Sequence, residues 1–186
     1  TASTGIAATH IGGMTIHSWC GIGIKSKLTK DDLNKISASQ YISRRILKAK
    51  VLIIEEVSML TSETLTMVDQ VCRKIKQNSE PFGGMQIIFA GDFFQLPPVI
   101  KREVEVNGQP TLIENPSTHF AFESPAWMEA NPIVCYLSEQ HRQDDDNFLK
   151  ILTAIRNNTF DNEHLSHIES RKIEHRAIPD NITKLY

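Results

Sequence analysis

Two adjacent carboxylates, Glu55 and Glu56, follow the apolar run Val51-Leu52-Ile53-Ile54 and precede Val57-Ser58-Met59. An acidic pair delivered at the end of a buried strand sits where an open α/β sheet keeps its ligand crevice, just beyond the carboxyl ends of the strands. One carboxylate there can hold Mg²⁺, usually through water, and the next can act as general base on the water attacking a nucleotide γ-phosphate. The same run also reads as a solvated acidic pair closing a strand, and alone it does not decide between the two.

A second apolar run, Gln86-Ile87-Ile88-Phe89-Ala90, ends in Gly91-Asp92-Phe93-Phe94-Gln95-Leu96-Pro97-Pro98-Val99. Gly91 permits a tight exit from a strand, and Pro97-Pro98 stiffens the chain that follows. Gln95 is then a neutral hydrogen-bonding group on a rigid turn, able to orient an attacking water or to sense a γ-phosphate. A loop glutamine satisfied by backbone is the plainer alternative. A third run, Ile133-Val134-Cys135-Tyr136-Leu137, leads into Ser138-Glu139-Gln140-His141-Arg142. Arg142 offers a planar, permanently charged fork to phosphate oxygens, although single arginines more often serve in surface ion pairs. His141 reads as a packing or hydrogen-bonding neighbour.

The N-terminal stretch Thr1-Ala2-Ser3-Thr4-Gly5 and the segment Gly12-Gly13-Met14-Thr15-Ile16-His17-Ser18-Trp19 offer small hydroxyls and backbone amides near helix starts. Such groups can lie against a phosphodiester backbone without reading sequence. Thr1, Ser3, Thr4, Gly5, His17 and Ser18 are candidate contacts to a single strand, with Trp19 as a stacking surface. The competing reading makes Trp19 core and Thr4 a helix cap.

The elements that must position these groups follow from periodicity. Each of the three apolar runs is nearly continuous rather than alternating, which predicts parallel strands buried on both faces. Between the first two, Leu65, Val68, Val71, Cys72 and Ile75 recur at helical spacing over Thr61 to Gln77, with Thr61 or Ser62 as N-cap, completing a βαβ unit. Leu33, Ile36, Ile42, Ile46 and Leu47 predict one or two helices within Asp31 to Lys48, and Leu149, Leu152 and Ile155 another over Phe148 to Ile155. Lys101 to Pro116 is polar, carries Gly108, Pro110 and Pro116, and reads as a surface insertion. The tail from Asp161 is charged and weakly periodic, either helical connector or partly disordered.

With 186 residues, 40% hydrophobic and 23% charged, the chain has the composition of one globular domain, and no apolar run approaches a membrane span. The net charge of −2 gives no overall basic signature, though a motor can concentrate positive charge along one narrow track. Three widely separated cysteines suggest neither a disulfide frame nor a zinc site, and fit a reducing, intracellular compartment.

Taken together, these segments resemble the PIF-type DNA helicases of superfamily 1, the group related to RecD. TASTGIAA and GGMTIHSWCGIG look like the family's motif Ia region, LIIEEVSML like its Walker B segment, FGGMQIIFAGDFFQLPPV like motif III, and LSEQHRQDDDNFLKILTAIRNNTF like motif IV. The resemblance implies an α/β, RecA-like P-loop NTPase domain with a mainly parallel sheet, truncated at both ends. Residues 1–136 would be the motor domain without its Walker A start, and 137–186 a motif IV segment and connector toward a second RecA-like domain.

It further implies an ATP-dependent 5′–3′ DNA helicase, using ATP and Mg²⁺, that translocates on single-stranded DNA and unwinds duplex or structured DNA in repair, recombination or telomere maintenance. Such a protein is expected to be monomeric and free of membrane, in the cytoplasm or nucleoid of a bacterial or viral system, or in a eukaryotic nucleus or mitochondrion. Glu55 would then be the metal-side carboxylate, Glu56 the water-activating one, and Gln95 and Arg142 the contacts to the γ-phosphate. Two departures stand out. The family usually has Asp where this chain has Glu55, and no G-x-x-x-x-G-K-[ST] run occurs in these residues. The isolated chain is therefore expected to be inert, and a catalytically dead DNA-binding or interaction module from a decayed mobile element is the alternative.

Overall fold

A computed structural model describes residues 1–98, 120–139, 141 and 145–172. The chain divides into two compact units, Thr1–Val134 and Cys135–Tyr186. In the first, two four-residue strands, β1 (Val51–Ile54) and β2 (Gln86–Phe89), pair in parallel, with Val51 opposite Gln86 and Ile54 opposite Phe89. The N-terminal residues extend this pairing on the other side of β1, because Ala2 bridges in parallel both to Glu55 and to Thr15. Adjacent parallel segments thus end together, which brings their C-terminal loops to one edge.

Four helices precede β1: α1 (Gly5–His10), α2 (Ile16–Cys20), α3 (Lys30–Ala38) and α4 (Gln40–Lys48). Of the one or two helices expected over Asp31 to Lys48, the structure has two, divided at Ser39. The crossover between β1 and β2 is α5 (Ser62–Lys76), whose N-cap Thr61 accepts a hydrogen bond from the Thr64 amide. Its residues Leu65, Val68, Val71 and Cys72 are fully buried, as their spacing predicts, and pack in one core with Leu52, Ile54, Ile16 and Ile46. A tight segment at Pro81–Gly84 turns the chain back into β2, and α6 (Pro125–Ala130) closes the unit. Trp127 of α6 stacks on Phe89 with ring centroids 4.4 Å apart.

Two expectations about the strands need correction. Val51, Ile53 and Ile88 are each more than 40% exposed while Leu52 and Ile54 are buried, so the sheet is covered on one face only. A continuous apolar run makes both faces suitable for burial, but whether the second is covered depends on what lies against it. Ile133–Leu137 forms no strand, and Ile133 is 91% and Leu137 98% exposed. A strand requires a neighbour to take its amides and carbonyls, and among the described residues none pairs with this run.

The second unit contributes α7 (Asp146–Arg156) and α8 (Asn162–Ser170). Asp145 caps α7 by accepting from the amides of Asn147 and Phe148, and Asp161 caps α8 through Glu163 and His164. The predicted helix over Phe148 to Ile155 is therefore present, and the charged tail begins as helix. Arg142, the Lys101 to Pro116 insertion and the end of the tail lie outside the described residues.

Candidate functional site

The C-terminal ends of the parallel segments converge through backbone hydrogen bonds. Glu55 donates its amide to the Thr1 carbonyl at 2.9 Å and accepts at its own carbonyl from the Ser3 amide at 3.0 Å. On the opposite side, the Ala90 amide donates to Ile54 at 2.9 Å and the Val57 amide to Ala90 at 3.0 Å. The hydroxyl segment, the carboxylate pair and the exit of β2 are consecutive along one sheet edge. Both glutamates are half-buried, and Glu56 adopts a left-handed backbone (φ 55°, ψ 44°) that turns the chain sharply out of the strand. Positive φ on a residue other than glycine is uncommon, and it concentrates where the surrounding structure fixes a functional group.

Gly91 passes so close to this turn that a Cβ built on it would lie 2.9 Å from the Val57 amide nitrogen and 3.1 Å from Val57 Cγ1. The glycine permits this approach, beyond easing a turn. Directly after it, Asp92 organises the loop. Its carboxylate accepts from the Phe94 amide at 3.1 Å and from Gln95 Nε2 at 3.1 Å, while its carbonyl accepts from the Gln95 amide at 3.0 Å. Gln95 is exposed and held by Asp92 on the turn that follows Gly91, where the exit of β2 meets Val57. Sequence reasoning missed Asp92, although an aspartate that bonds the chain two and three residues on is the local signature of such turns.

The candidate strand-binding residues fall into two groups. Ser3 follows the β1 edge, with its hydroxyl buried and without a partner. Thr1 sits on the same edge and donates its hydroxyl to the Ile53 carbonyl at 2.7 Å. Thr4 caps α1, its hydroxyl accepting from the Ala7 amide at 3.2 Å, while Gly5 is exposed. Thr15 caps α2 in the same way, accepting from the Ser18 amide and donating to the Ser18 hydroxyl. His17 is half-buried, and burial lowers the pKa of its imidazole below the ordinary 6.5, so it is neutral at pH 7. Trp19 is 8% exposed and belongs to the core. The stacking role is thereby corrected: α2 is only five residues long and its inward face is taken by Ile16, Trp19 and Cys20.

One further residue positions α2. Arg45 of α4 donates through Nη2 to the Ser18 carbonyl at 3.0 Å and to the Trp19 carbonyl, and through Nη1 to Met14 Sδ at 3.3 Å. A cation at the last carbonyls of a helix is favourably placed against its dipole. No local pattern signals this contact, since its partners lie 26 and 27 residues away.

Among the described residues no group of three or more His, Cys, Asp or Glu side chains could hold a metal, and no helix is long and apolar enough to cross a membrane. The carboxylate pair still suits Mg²⁺, a hard cation bound by one or two carboxylates with water and substrate phosphates completing its shell.

The chain is an α/β domain of the RecA-like class, its parallel strands ending in a carboxylate pair and in a glutamine turn. Solved structures place it more narrowly. Pif1 helicase from Candida albicans superposes with a TM-score of 0.77 at 33% identity, over 97% of this chain and 38% of that one. Pif1 helicase from Bacteroides, in complex with ADP-AlF3 and single-stranded DNA, gives 0.74 at 32% identity, over 97% of this chain and 41% of that one. In sequence, the chain is 52% identical over 143 residues to the ATP-dependent DNA helicase Pif1 of Psychrobacter, covering 77% of this chain and 20% of that protein. It is 41% identical over 182 residues to the PIF1 helicase of Saccharomyces cerevisiae, covering 97% of this chain and 20% of that protein. The PIF1-like helicase family model matches residues 1–166, and the chain belongs to that family. It spans about a fifth of the length of these curated relatives.

Proposed function

We propose that this chain forms part of the first motor domain of an ATP-dependent DNA helicase that moves 5′ to 3′ on single-stranded DNA and opens duplex or structured DNA. The observation that carries the proposal is the shared edge, where the Ser3 amide, the Glu55-Glu56 pair and the Asp92-anchored Gln95 follow one another across hydrogen-bonded segments. Strand contacts and nucleotide contacts on adjoining loops are what a motor needs to couple one to the other.

In this reading Glu55 would hold Mg²⁺, and Glu56 accepts the proton of the water that attacks the γ-phosphate. When bound, the metal would supply positive charge to offset that of the nucleotide phosphates. Gln95, fixed through its amide by Asp92, orients the attacking water, and Arg142 contacts the γ-phosphate. Thr1, Ser3, Thr4 and Gly5 face the DNA backbone together with His17 and Ser18, whereas Trp19 supports them from the core. The neutral His17 contributes a hydrogen bond rather than a charge. The protein acts as a monomer inside the cell, in the cytoplasm, nucleoid, nucleus or mitochondrion according to its source. Residues 137–186 lead toward a second RecA-like domain. Lacking a G-x-x-x-x-G-K-[ST] run, the 186 residues alone are inert toward ATP.

The test is DNA-stimulated ATP hydrolysis by the full-length protein. Glu56→Gln is expected to lower the turnover number by at least about a hundredfold, within the range of general-base catalysis, while a fluorescent ATP analogue still binds. Undiminished hydrolysis in that variant, or a wild-type rate indifferent to single-stranded DNA, would overturn the reading.

A further inference from the structure

The net charge of −2 conceals an uneven distribution: between positions 25 and 50 there are eight Lys or Arg residues and only two acidic ones. Part of this excess forms a stripe on α4. Tyr41, Arg44 and Lys48 stand at i, i+3 and i+7, on one side of the helix, and all three are exposed. Ile46 faces the core instead. Tyr41 is 73% exposed although the Arg45 guanidinium lies 4.9 Å from its ring centroid. Among the described residues neither Arg44 nor Lys48 has an ion-pair partner.

We propose that this face of α4 is a further nucleic-acid contact, in which Arg44 and Lys48 take backbone phosphates and Tyr41 stacks on a base, continuing the strand track beyond α2. An exposed aromatic set among cations is the combination that single-strand binding uses, since every base presents a π-face and every nucleotide a phosphate. Continuity comes from Arg45, which belongs to the same helix and grips the Ser18 and Trp19 carbonyls of α2, so the two faces are held rigidly to each other. An anionic membrane surface would also meet the two cations and accept a tyrosine, but it would not continue the strand contacts proposed for α2. The inference rests on the proposed strand contacts of α2 and extends them.

The test measures affinity of the full-length protein for a fluorescein-labelled oligodeoxythymidylate across a salt series, with thermal melts to show that these surface substitutions leave the fold intact. Removing two phosphate contacts from a single strand lowers the slope of log K against log salt by about 1.4, and R44Q/K48Q is expected to show that loss. Tyr41→Leu is expected to weaken binding about five- to a hundredfold with the slope unchanged. An unaltered slope in R44Q/K48Q, alongside clear weakening in His17→Ala/Ser18→Ala, overturns the α4 contact and leaves the α2 contact standing. Failure of the wild-type protein to bind the strand overturns both. Anionic phosphatidylserine vesicles binding as tightly as the oligonucleotide, with Tyr41→Leu neutral toward either, also overturns the proposal and makes α4 a general polyanion surface.

Discussion

The Ser3 amide donates to the Glu55 carbonyl at 3.0 Å, so the middle of the hydroxyl segment and the residue that begins the carboxylate pair share one hydrogen bond. The segments flanking them are equally constrained, since Glu55 also donates to Thr1 and Val57 to Ala90. A shift of the N-terminal loop cannot leave the end of β1 where it was without breaking this ladder. The loops proposed to meet strand and nucleotide are therefore linked mechanically through the backbone.

Gly91 tests how tightly that edge is built. A methyl group at this position would meet the Val57 amide nitrogen at 2.9 Å, a backbone atom with no rotamer to yield. Gly91→Ala is expected to destabilise the fold by about 1–3 kcal/mol, the usual cost of overpacking, and to lower DNA-stimulated hydrolysis further than that loss explains because the Asp92-Gln95 turn is displaced. Chemical denaturation and turnover at saturating DNA measure the two effects. A variant with wild-type stability and rate would show that the approach of β2 to Val57 is not required.

A second prediction concerns the support behind β2. Asp69, buried in α5, accepts from the Phe82 amide at 2.7 Å and from Arg73 Nε at 2.9 Å, and Arg73 reaches Glu129 of α6 at 2.6 Å. Phe82 has a positive φ of 52°, and its buried amide finds its acceptor in the Asp69 carboxylate. Asp69→Ala leaves that amide buried without an acceptor and is expected to cost about 1.5–3 kcal/mol. Glu129→Ala removes the exposed end of the network and should cost less than about 1 kcal/mol. Equal losses in urea denaturation would mean that the pairing of Arg73, rather than the Phe82 amide, is what Asp69 serves.

Some of this architecture was legible in the sequence. The spacing of Leu65, Val68, Val71, Cys72 and Ile75 predicts α5, and the paired glutamates after an apolar run predict a strand end, because both signals are local. The uncovered sheet face and the unformed strand at Ile133–Leu137 were not legible, since covering a face or pairing an edge depends on other segments. Trp19 read as a stacking surface because nothing local distinguishes a tryptophan aimed at solvent from one aimed at the core. The grip of Arg45 on α2 spans 26 residues and leaves no periodic trace, whereas the bond from Asp92 to Gln95 was within reach of turn chemistry.

His17 gives the fold a pH dependence. Burial holds its folded pKa below the ordinary 6.5, so the unfolded chain takes up the proton first as the medium is acidified. Stability from this residue is complete above about 6.5 and is lost as pH falls through the folded value. The urea midpoint is expected to drop between about pH 7.5 and about pH 5.5, and the drop should shrink in His17→Gln, which keeps a polar group but cannot titrate. An unchanged pH profile in the variant would remove His17 as the source.

The last prediction concerns Glu55, which the family resemblance sets where PIF-type helicases usually carry aspartate. Its side chain is one methylene longer, while the backbone that carries it is fixed through both its amide and its carbonyl, by Thr1 and Ser3. The extra reach cannot be absorbed by moving the strand, and it falls on the carboxylate itself. Mg²⁺ requires near-ideal octahedral geometry, and a displacement of about an ångström in a reacting site can cost on the order of a hundredfold in rate. Glu55→Asp in the full-length protein is accordingly expected to raise DNA-stimulated ATP hydrolysis and to lower the magnesium concentration needed for half-maximal rate, with little change in single-strand affinity. Equal or lower hydrolysis in the aspartate form would show that the surrounding site has adjusted to the longer side chain. If neither form hydrolyses ATP although DNA still binds, the protein is the catalytically silent DNA-binding module that the substitution also permits.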